Sequence, residues 1–422
     1  MRTSPIWHPF TQHALAGEML AVERGEGAYL HLTNGKRLLD AIASWWVVTH
    51  GHGHPAIRAA VQAQAEKLDQ VIFAGFTHEP AENLARALID LSPEGLTRVF
   101  YSDSGSTAVE VALKMALGYW HNRGASTRKR IVTMEHAYHG DTIGAMSVGA
   151  RGVFNRAYEP LLFRVDTIPF PEQGDEQRTL DALAKLCSDA PDEIAALIVE
   201  PLVLGAGGML MYGGGVLREM KRICEAHDVV FIADEVMTGW GRSGTLFACQ
   251  QAGVAPDILC TAKGITGGFL PLSATLCQER FFAAHYSTDR SRTFFHSSSY
   301  AANPIACAAA YANARVWAEE PVQDRIAAIA AFHARRLPRL AEDGRFVNPR
   351  RTGTIAAIDL RIGDRGYLSD AGPRLYRHFI EHGVLLRPLG NTIYILPPYC
   401  VGDADLEEIY DVISSAPDVL GL

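Results

Sequence analysis

From about residue 96 the chain alternates short apolar runs with amphipathic stretches, and few folds accept that rhythm. LTRVFYS leads into SGSTAVEVALKMALGYW, and RIVTME into a Gly-containing loop. AALIVEP precedes VLREMKRICEAH, which runs into VVFIADEV, and PLSATLC adds one more strand. Apolar strands separated by helices imply a mainly parallel sheet covered on both faces, an α/β fold. The pattern changes after about residue 318. A helix over 324–340, the strand TIAAIDL, a helix over 375–382, strands VLLRP and TIYILPP and a last helix suggest a smaller α/β lobe. Upstream, Asn34-Gly35 in YLHLTNGKRLLDA predicts a hairpin, expected to pack on that lobe. The expected organisation is an N-terminal segment and hairpin over 1–45, a large domain over 46–318 and a small domain over 319–422.

Ligands of such sheets lie beyond the C-terminal strand ends. That singles out Asp234, at the end of the apolar run in VVFIADEV. An unpaired buried carboxylate is costly. Either the strand has surfaced and its acids are solvated, or Asp234 holds a cation. Glu235 is expected to point elsewhere and to be structural. Lys263, in TAKGITGG, is offered among small, uncharged residues. A buried amine has a lowered pKa and becomes a nucleophile toward aldehydes. A lysine joined to an aldehyde, with an aspartate on a ring nitrogen, is the arrangement pyridoxal phosphate needs.

A phosphate needs an anion site. Gly105 and Ser106 open a helix after a strand, where free N–H groups and the helix dipole favour one. GST before a helix is by itself an ordinary capped start and gains meaning only beside Asp234 and Lys263. Tyr138, in EHAYHGDT, either stacks on a flat ring or packs in the core, and His139 reads as a loop histidine. His50, His52 and His54 have no carboxylate or cysteine partner at ligand spacing, so HGHGHP reads as a loop ending at a helix start on Pro55, with no metal. Trp45 and Trp46 would face opposite ways on a strand, one toward the core and one walling a pocket. Arg387 either clamps a substrate carboxylate or forms a peripheral ion pair.

Composition excludes other classes. The 422 residues carry a formal net charge of −8 with no long basic run, which argues against a nucleic-acid partner. No run approaches the ~20 apolar residues of a membrane span, and MRTSPIWHPFTQH has no signal-peptide core. The seven cysteines are scattered, odd in number and without CxxC, as expected of reduced thiols in a cytoplasmic protein.

Taken together, SDSGSTAVEVALKMA, AYHGDT, IVEPL, FIADEVMTGWGRSG, PDILCTAKGITGG and NPIACAAA resemble the class III aminotransferases of fold type I, in order and over nearly the whole chain. The resemblance implies pyridoxal 5'-phosphate as cofactor. Lys263 would bond its aldehyde and shuttle the proton, and Asp234 would pair with its ring nitrogen. Gly105 and Ser106 would bind its phosphate and Tyr138 would stack on its ring. Ser299, in HSSSY, stands where the family contributes a phosphate ligand from the partner subunit, which implies a homodimer with a shared active site. IWHPFTQ, SWW, GAGGM, LLRPLG and IYILPPY look like the biotin-synthesis branch of that family, as does EPLVLGAGG in place of the wider family's EPVQGEGG. That branch implies an amino keto acid acceptor and S-adenosylmethionine as donor. Phe10, Trp45, Arg387 and Tyr394 would line the substrate pocket, with Arg387 on the carboxylate.

Three positions depart from the branch. Phe10 replaces a tyrosine, Leu204 a glutamine, and HSSSY a common HGPTF. The loss of a hydroxyl at Phe10 keeps lysine open as an alternative donor. An ω-aminotransferase acting on a diamine, 4-aminobutyrate or β-alanine is a second alternative. An aminomutase or racemase, which keeps the amine in one molecule, is a third. A cofactor-binding protein without catalysis would lack Lys263 or Asp234, and both are present.

Overall fold

The computed structural model describes residues 4–363 and 366–422. A seven-stranded sheet forms its centre, in the order Leu96–Ser102, Ser273–Gln278, Ile258–Thr261, Val230–Asp234, Ile194–Val199, Arg130–Met134 and Asp166–Ile168. Ser273–Gln278 runs antiparallel to both neighbours, and the others run the same way. All six residues of the strand Ile194–Val199 are buried, as are all five of Val230–Asp234. Helices cover both faces, which is why these strands are apolar throughout rather than alternating.

Register decides where the site falls. Asp234 lies opposite Cys260 in a parallel ladder. Lys263 therefore emerges just past the residue beside Asp234. Glu200 directly follows Val199, which pairs with Ala233 on the other side. The loop holding Tyr138 and His139 leaves the strand Arg130–Met134 at the same edge. The helix Gly105–Asn122 starts there too. Ser104 Oγ accepts the Thr107 N–H at 3.2 Å while Thr107 Oγ1 accepts the Ser104 N–H at 2.9 Å, a reciprocal cap that fixes where the helix begins.

A four-stranded sheet joins Val22–Glu26, Tyr29–Leu32 and Arg37–Asp40 to Val384–Leu385, the last pairing parallel with Arg37–Asp40. A three-stranded antiparallel sheet holds Phe346–Thr352, Ile355–Leu360 and Thr392–Ile395. Arg242 ties these parts together from a buried position. Its guanidinium donates to the carbonyls of Pro397 at 2.7 Å and Val48 at 2.9 Å. Burial lowers its pKa, and carbonyl partners make the burial tolerable.

Glu235 is fully buried and structural. Its carboxylate accepts the Thr238 hydroxyl at 2.6 Å and the N–H groups of Ala248 at 3.0 Å and Cys249 at 2.7 Å. All seven cysteines are free thiols. Among the described residues no helix is long and apolar enough to cross a membrane.

Candidate active site

A cavity of about 600 Å3 opens at the C-terminal edge of the central sheet. Lys263, Asp234, Tyr138, Gly105, Ser106, Phe10, Trp45, Arg387 and Tyr394 all line it. Ser299 does not. It is exposed, and its carbonyl accepts a hydrogen bond from Gln70 Nε2 at 2.8 Å. Its neighbour Ser298 donates to Asp103, which does line the cavity.

Lys263 begins a short turn after the strand Ile258–Thr261 and takes a left-handed backbone conformation, φ 48°. Such strain concentrates at functional sites. Its amine lies 5.2 Å from the centre of the Trp46 ring. The side chain touches the cavity, yet protein surrounds it densely enough that burial lowers its pKa. The carboxylates of Asp234 and Glu200 pull the other way, and Arg242 adds to the lowering.

Asp234 is buried at its strand end, and the partner it finds in this chain is His139. His139 Nδ1 lies 2.7 Å from Asp234 Oδ2. A carboxylate only accepts, so Nδ1 carries the proton. The other carboxylate oxygen accepts the Val236 N–H at 3.1 Å. This corrects the reading of His139 as a loop histidine. It is buried, and its Nε2 has no partner among the described residues. Nothing in HAYHGDT marks it, because its partner arrives from a strand far along the chain.

Glu200 is the second residue that sequence reasoning missed. Its two oxygens accept the Tyr138 N–H at 2.9 Å and the Gly205 N–H at 3.0 Å, joining two loops of the cavity wall. Burial pushes its carboxyl up to about 7, with His139 pulling it down and Asp234 pushing it further up. A signal was present: AALIVEP ends a buried strand on a carboxylate just as VVFIADEV does.

The anion end is built from close backbone approaches. A Cβ on Gly105 would sit 2.5 Å from Val236 Cγ1. Gly140 has φ 129° and a Cβ there would collide with Ser106. Ser106 Oγ in turn accepts the Asp141 N–H at 3.1 Å. The first-turn N–H groups at Gly105 and Ser106 have no intrahelical acceptor and sit at the positive end of the helix dipole.

The tryptophans lie on a kinked turn, not on a strand. Ala43, Ser44 and Trp46 all have positive φ. Buried Asp40 holds the kink by accepting the Ser44 N–H at 2.7 Å and the His52 Nε2–H at 2.9 Å. Trp46 is thereby turned inward, 6% exposed, and donates to the Tyr394 hydroxyl at 3.1 Å. Trp45 remains 42% exposed at the mouth, and both line the cavity. His50 pairs with Asn313 and His54 with Glu320, so the three histidines of HGHGHP serve three separate partners. No cluster able to hold a metal occurs among the described residues.

Arg387 lies with its guanidinium 5.4 Å from the Trp45 ring centre and donates to the Phe10 carbonyl at 3.2 Å. No carboxylate among the described residues pairs with it. The peripheral ion pair is therefore absent there, and a cation faces the cavity.

The donor set fits pyridoxal phosphate: an amine of lowered pKa for its aldehyde, a carboxylate for its ring nitrogen and open N–H groups for its phosphate. Comparison with known proteins agrees. The family model "Aminotransferase class-III" matches residues 12–416. A relative from Synechococcus elongatus, named adenosylmethionine-8-amino-7-oxononanoate aminotransferase, is 48% identical over 98% of both chains. One of the same name from Geobacter sulfurreducens is 37% identical over 96% of this chain and 94% of its own. The crystal structure of the Methanocaldococcus jannaschii protein of that name superposes with a TM-score of 0.93 at 34% identity, over 98% of this chain and 97% of that one. An amine transaminase from an uncultivated Pseudomonas species, solved with PLP bound, gives 0.92 at 32% identity over 98% of both. This chain belongs to the class III aminotransferases, fold type I enzymes whose cofactor is pyridoxal phosphate.

Proposed function

We propose that this aminotransferase moves an amino group from S-adenosylmethionine to 8-amino-7-oxononanoate, making 7,8-diaminononanoate for biotin in the cytoplasm. The observation that carries the reading is the layout of the cavity. A lysine and carboxylate stand at its inner end, Trp46 and Tyr394 wall it, and Arg387 stands nearer its mouth. A mostly aliphatic keto acid with a terminal carboxylate matches that order. The names of the full-length relatives support the same substrate.

When bound, pyridoxal phosphate supplies the aldehyde that takes up an amine and a ring that draws electrons from the carbon bearing it. On this reading Gly105 and Ser106 hold the phosphate through backbone N–H groups, and Tyr138 stacks on the ring. Asp234 accepts the ring N–H, and the His139 Nδ1–H keeps that carboxylate aimed. Lys263 Nζ removes the proton from the donor carbon and delivers a proton to the acceptor carbon in the second half-reaction. Its lowered pKa keeps a larger neutral fraction ready as base. Trp46 and Tyr394 keep water from the reacting carbon. Residues 46–318 carry the cofactor, while 319–422 and the N-terminal 1–45 shape the substrate end.

We read the active unit as a homodimer, with Ser299 of the partner subunit completing the phosphate site. Exposed Ile72, Phe76, Phe295 and Tyr300 support this, since the Gln70–Ser299 hydrogen bond brings their two segments together as an apolar surface. Sedimentation of the holoenzyme as a monomer would refute it.

Arg387→Leu is expected to raise KM for the keto acid about 10- to 100-fold with little change in kcat, the loss of one charge-assisted contact. Steady-state kinetics with the keto acid varied checks this.

The assignment itself is tested in a single turnover. The holoenzyme is mixed with S-adenosylmethionine, and separately with lysine, and the visible band of the cofactor is followed. Loss of the band with S-adenosylmethionine and recovery on adding 8-amino-7-oxononanoate is the expected result. Loss with lysine alone would change the donor. No recovery with the keto acid would refute the biotin assignment and leave an ω-aminotransferase.

A further inference from the structure

Four aromatic side chains form a continuous tier at the cavity mouth. The ring centres of Trp45 and Phe10 lie 5.6 Å apart, those of Phe10 and Phe154 6.0 Å, and those of Phe154 and Tyr367 4.6 Å. All three contacts are edge-to-face, so no two of the four rings are stacked on each other. Trp45, Phe10 and Phe154 are exposed. An exposed aromatic tier over a cavity marks a place where something flat or apolar binds.

Charge narrows what that is. Arg387 is the cation of the tier. One N–H goes to the Phe10 carbonyl beside the Trp45 ring, and the others stay free, among the described residues, for a substrate carboxylate. The Phe154–Tyr367 pair continues the tier beyond Phe10. Of the carboxylates lining the cavity, Asp234 and Glu200 lie at its inner end beside Lys263, and Asp103 and Asp141 belong to the anion end. Asp103 precedes the helix cap, and the Asp141 N–H donates to Ser106. Among the described residues the tier therefore offers π faces and no carboxylate. An ammonium group needs hydrogen-bond acceptors to replace its water. A sulfonium has no N–H or O–H to donate and is held by aromatic faces and dispersion. Adenine, joined to it in the donor, stacks on such faces without needing a specific hydrogen-bond pattern.

We infer that Phe10, Trp45, Phe154 and Tyr367 form the donor subsite, taking the sulfonium and adenine of S-adenosylmethionine while its amino carbon lies at Lys263. The inference rests on the proposed reaction and adds Phe154 and Tyr367 as specificity-determining residues. Phenylalanine at position 10 keeps the ring that this subsite uses.

The test uses the holoenzyme and the variants Phe154→Leu and Tyr367→Leu, which keep apolar bulk and remove the ring. The donor half-reaction is followed in single turnover against S-adenosylmethionine concentration. Binding of S-adenosylhomocysteine, which keeps adenine but has no sulfonium charge, is measured by calorimetry. The keto acid half-reaction serves as the reference. Each variant is expected to need about 5- to 30-fold more S-adenosylmethionine for half-saturation. Its constant for the keto acid should change less than about twofold. Wild type is expected to prefer S-adenosylmethionine over S-adenosylhomocysteine, and the variants to lose most of that preference. Unchanged donor constants in both variants would overturn the subsite while leaving the reaction intact. Equal loss for keto acid and donor would overturn it too, since the rings would then merely support the pocket. A wild-type enzyme that ignores S-adenosylmethionine would instead remove the proposed donor itself.

Discussion

Lys263→Ala is expected to slow both half-reactions by at least about 10^4-fold. Lys263 is the lysine of the cavity, and no second one among the described lining residues replaces it. The variant brings no new backbone strain, because alanine has the same Cβ as lysine at φ 48°. The phosphate end is untouched, so the variant should still hold cofactor, visible as a bound band that borohydride no longer fixes to the protein. A small primary amine fits the space vacated by the side chain and should restore part of the rate. Activity within tenfold of wild type would show that the proton moves through another group, and the role given to Lys263 would fall.

Asp234 offers a sharper division between chemistry and folding. Asp234→Asn keeps an oxygen able to accept the His139 Nδ1–H but carries no charge to hold a ring N–H. The rate should drop about 10^2- to 10^4-fold, with the stability of the cofactor-free protein nearly unchanged. Asp234→Ala removes the acceptor altogether. His139, buried and already lacking a partner at Nε2, then loses its only one at Nδ1. That variant should lose the rate and a further ~1–3 kcal/mol of folding stability, the cost of a buried donor left unsatisfied. Denaturant unfolding of the two cofactor-free variants separates the outcomes. Equal stability for both would mean that the His139 contact contributes nothing to the fold.

The sheet was legible because its strands are apolar throughout and its helices are not. Strand ends could be read the same way: Asp234 terminates a run with no other polar residue, so its position at the sheet edge followed from period and burial alone. Lys263 stood out through its small, uncharged neighbours. The hairpin at Asn34-Gly35 formed between Tyr29–Leu32 and Arg37–Asp40 because that dipeptide adopts the turn. Glu235 was separable from Asp234 because adjacent residues of a strand face opposite ways.

Other features had no local signature. Trp45 and Trp46 are turned apart by a kink that Asp40 and His52 hold, not by the alternation of a strand. Phe154 and Tyr367 sit in segments with no motif, and they meet Phe10 and Trp45 only once the sheet is assembled.

The sequence by itself determined the layered α/β architecture and the residue types at the strand ends, because periodicity and burial are local properties of the chain. Only the tertiary structure decided that His139 holds Asp234, that Glu200 joins two loops and that four distant aromatic rings share one tier. Apart from the local Glu200–Gly205 bond, those contacts join residues tens to hundreds of positions apart, and a pairing across that separation is selected by the geometry of the whole sheet rather than by any neighbour in sequence.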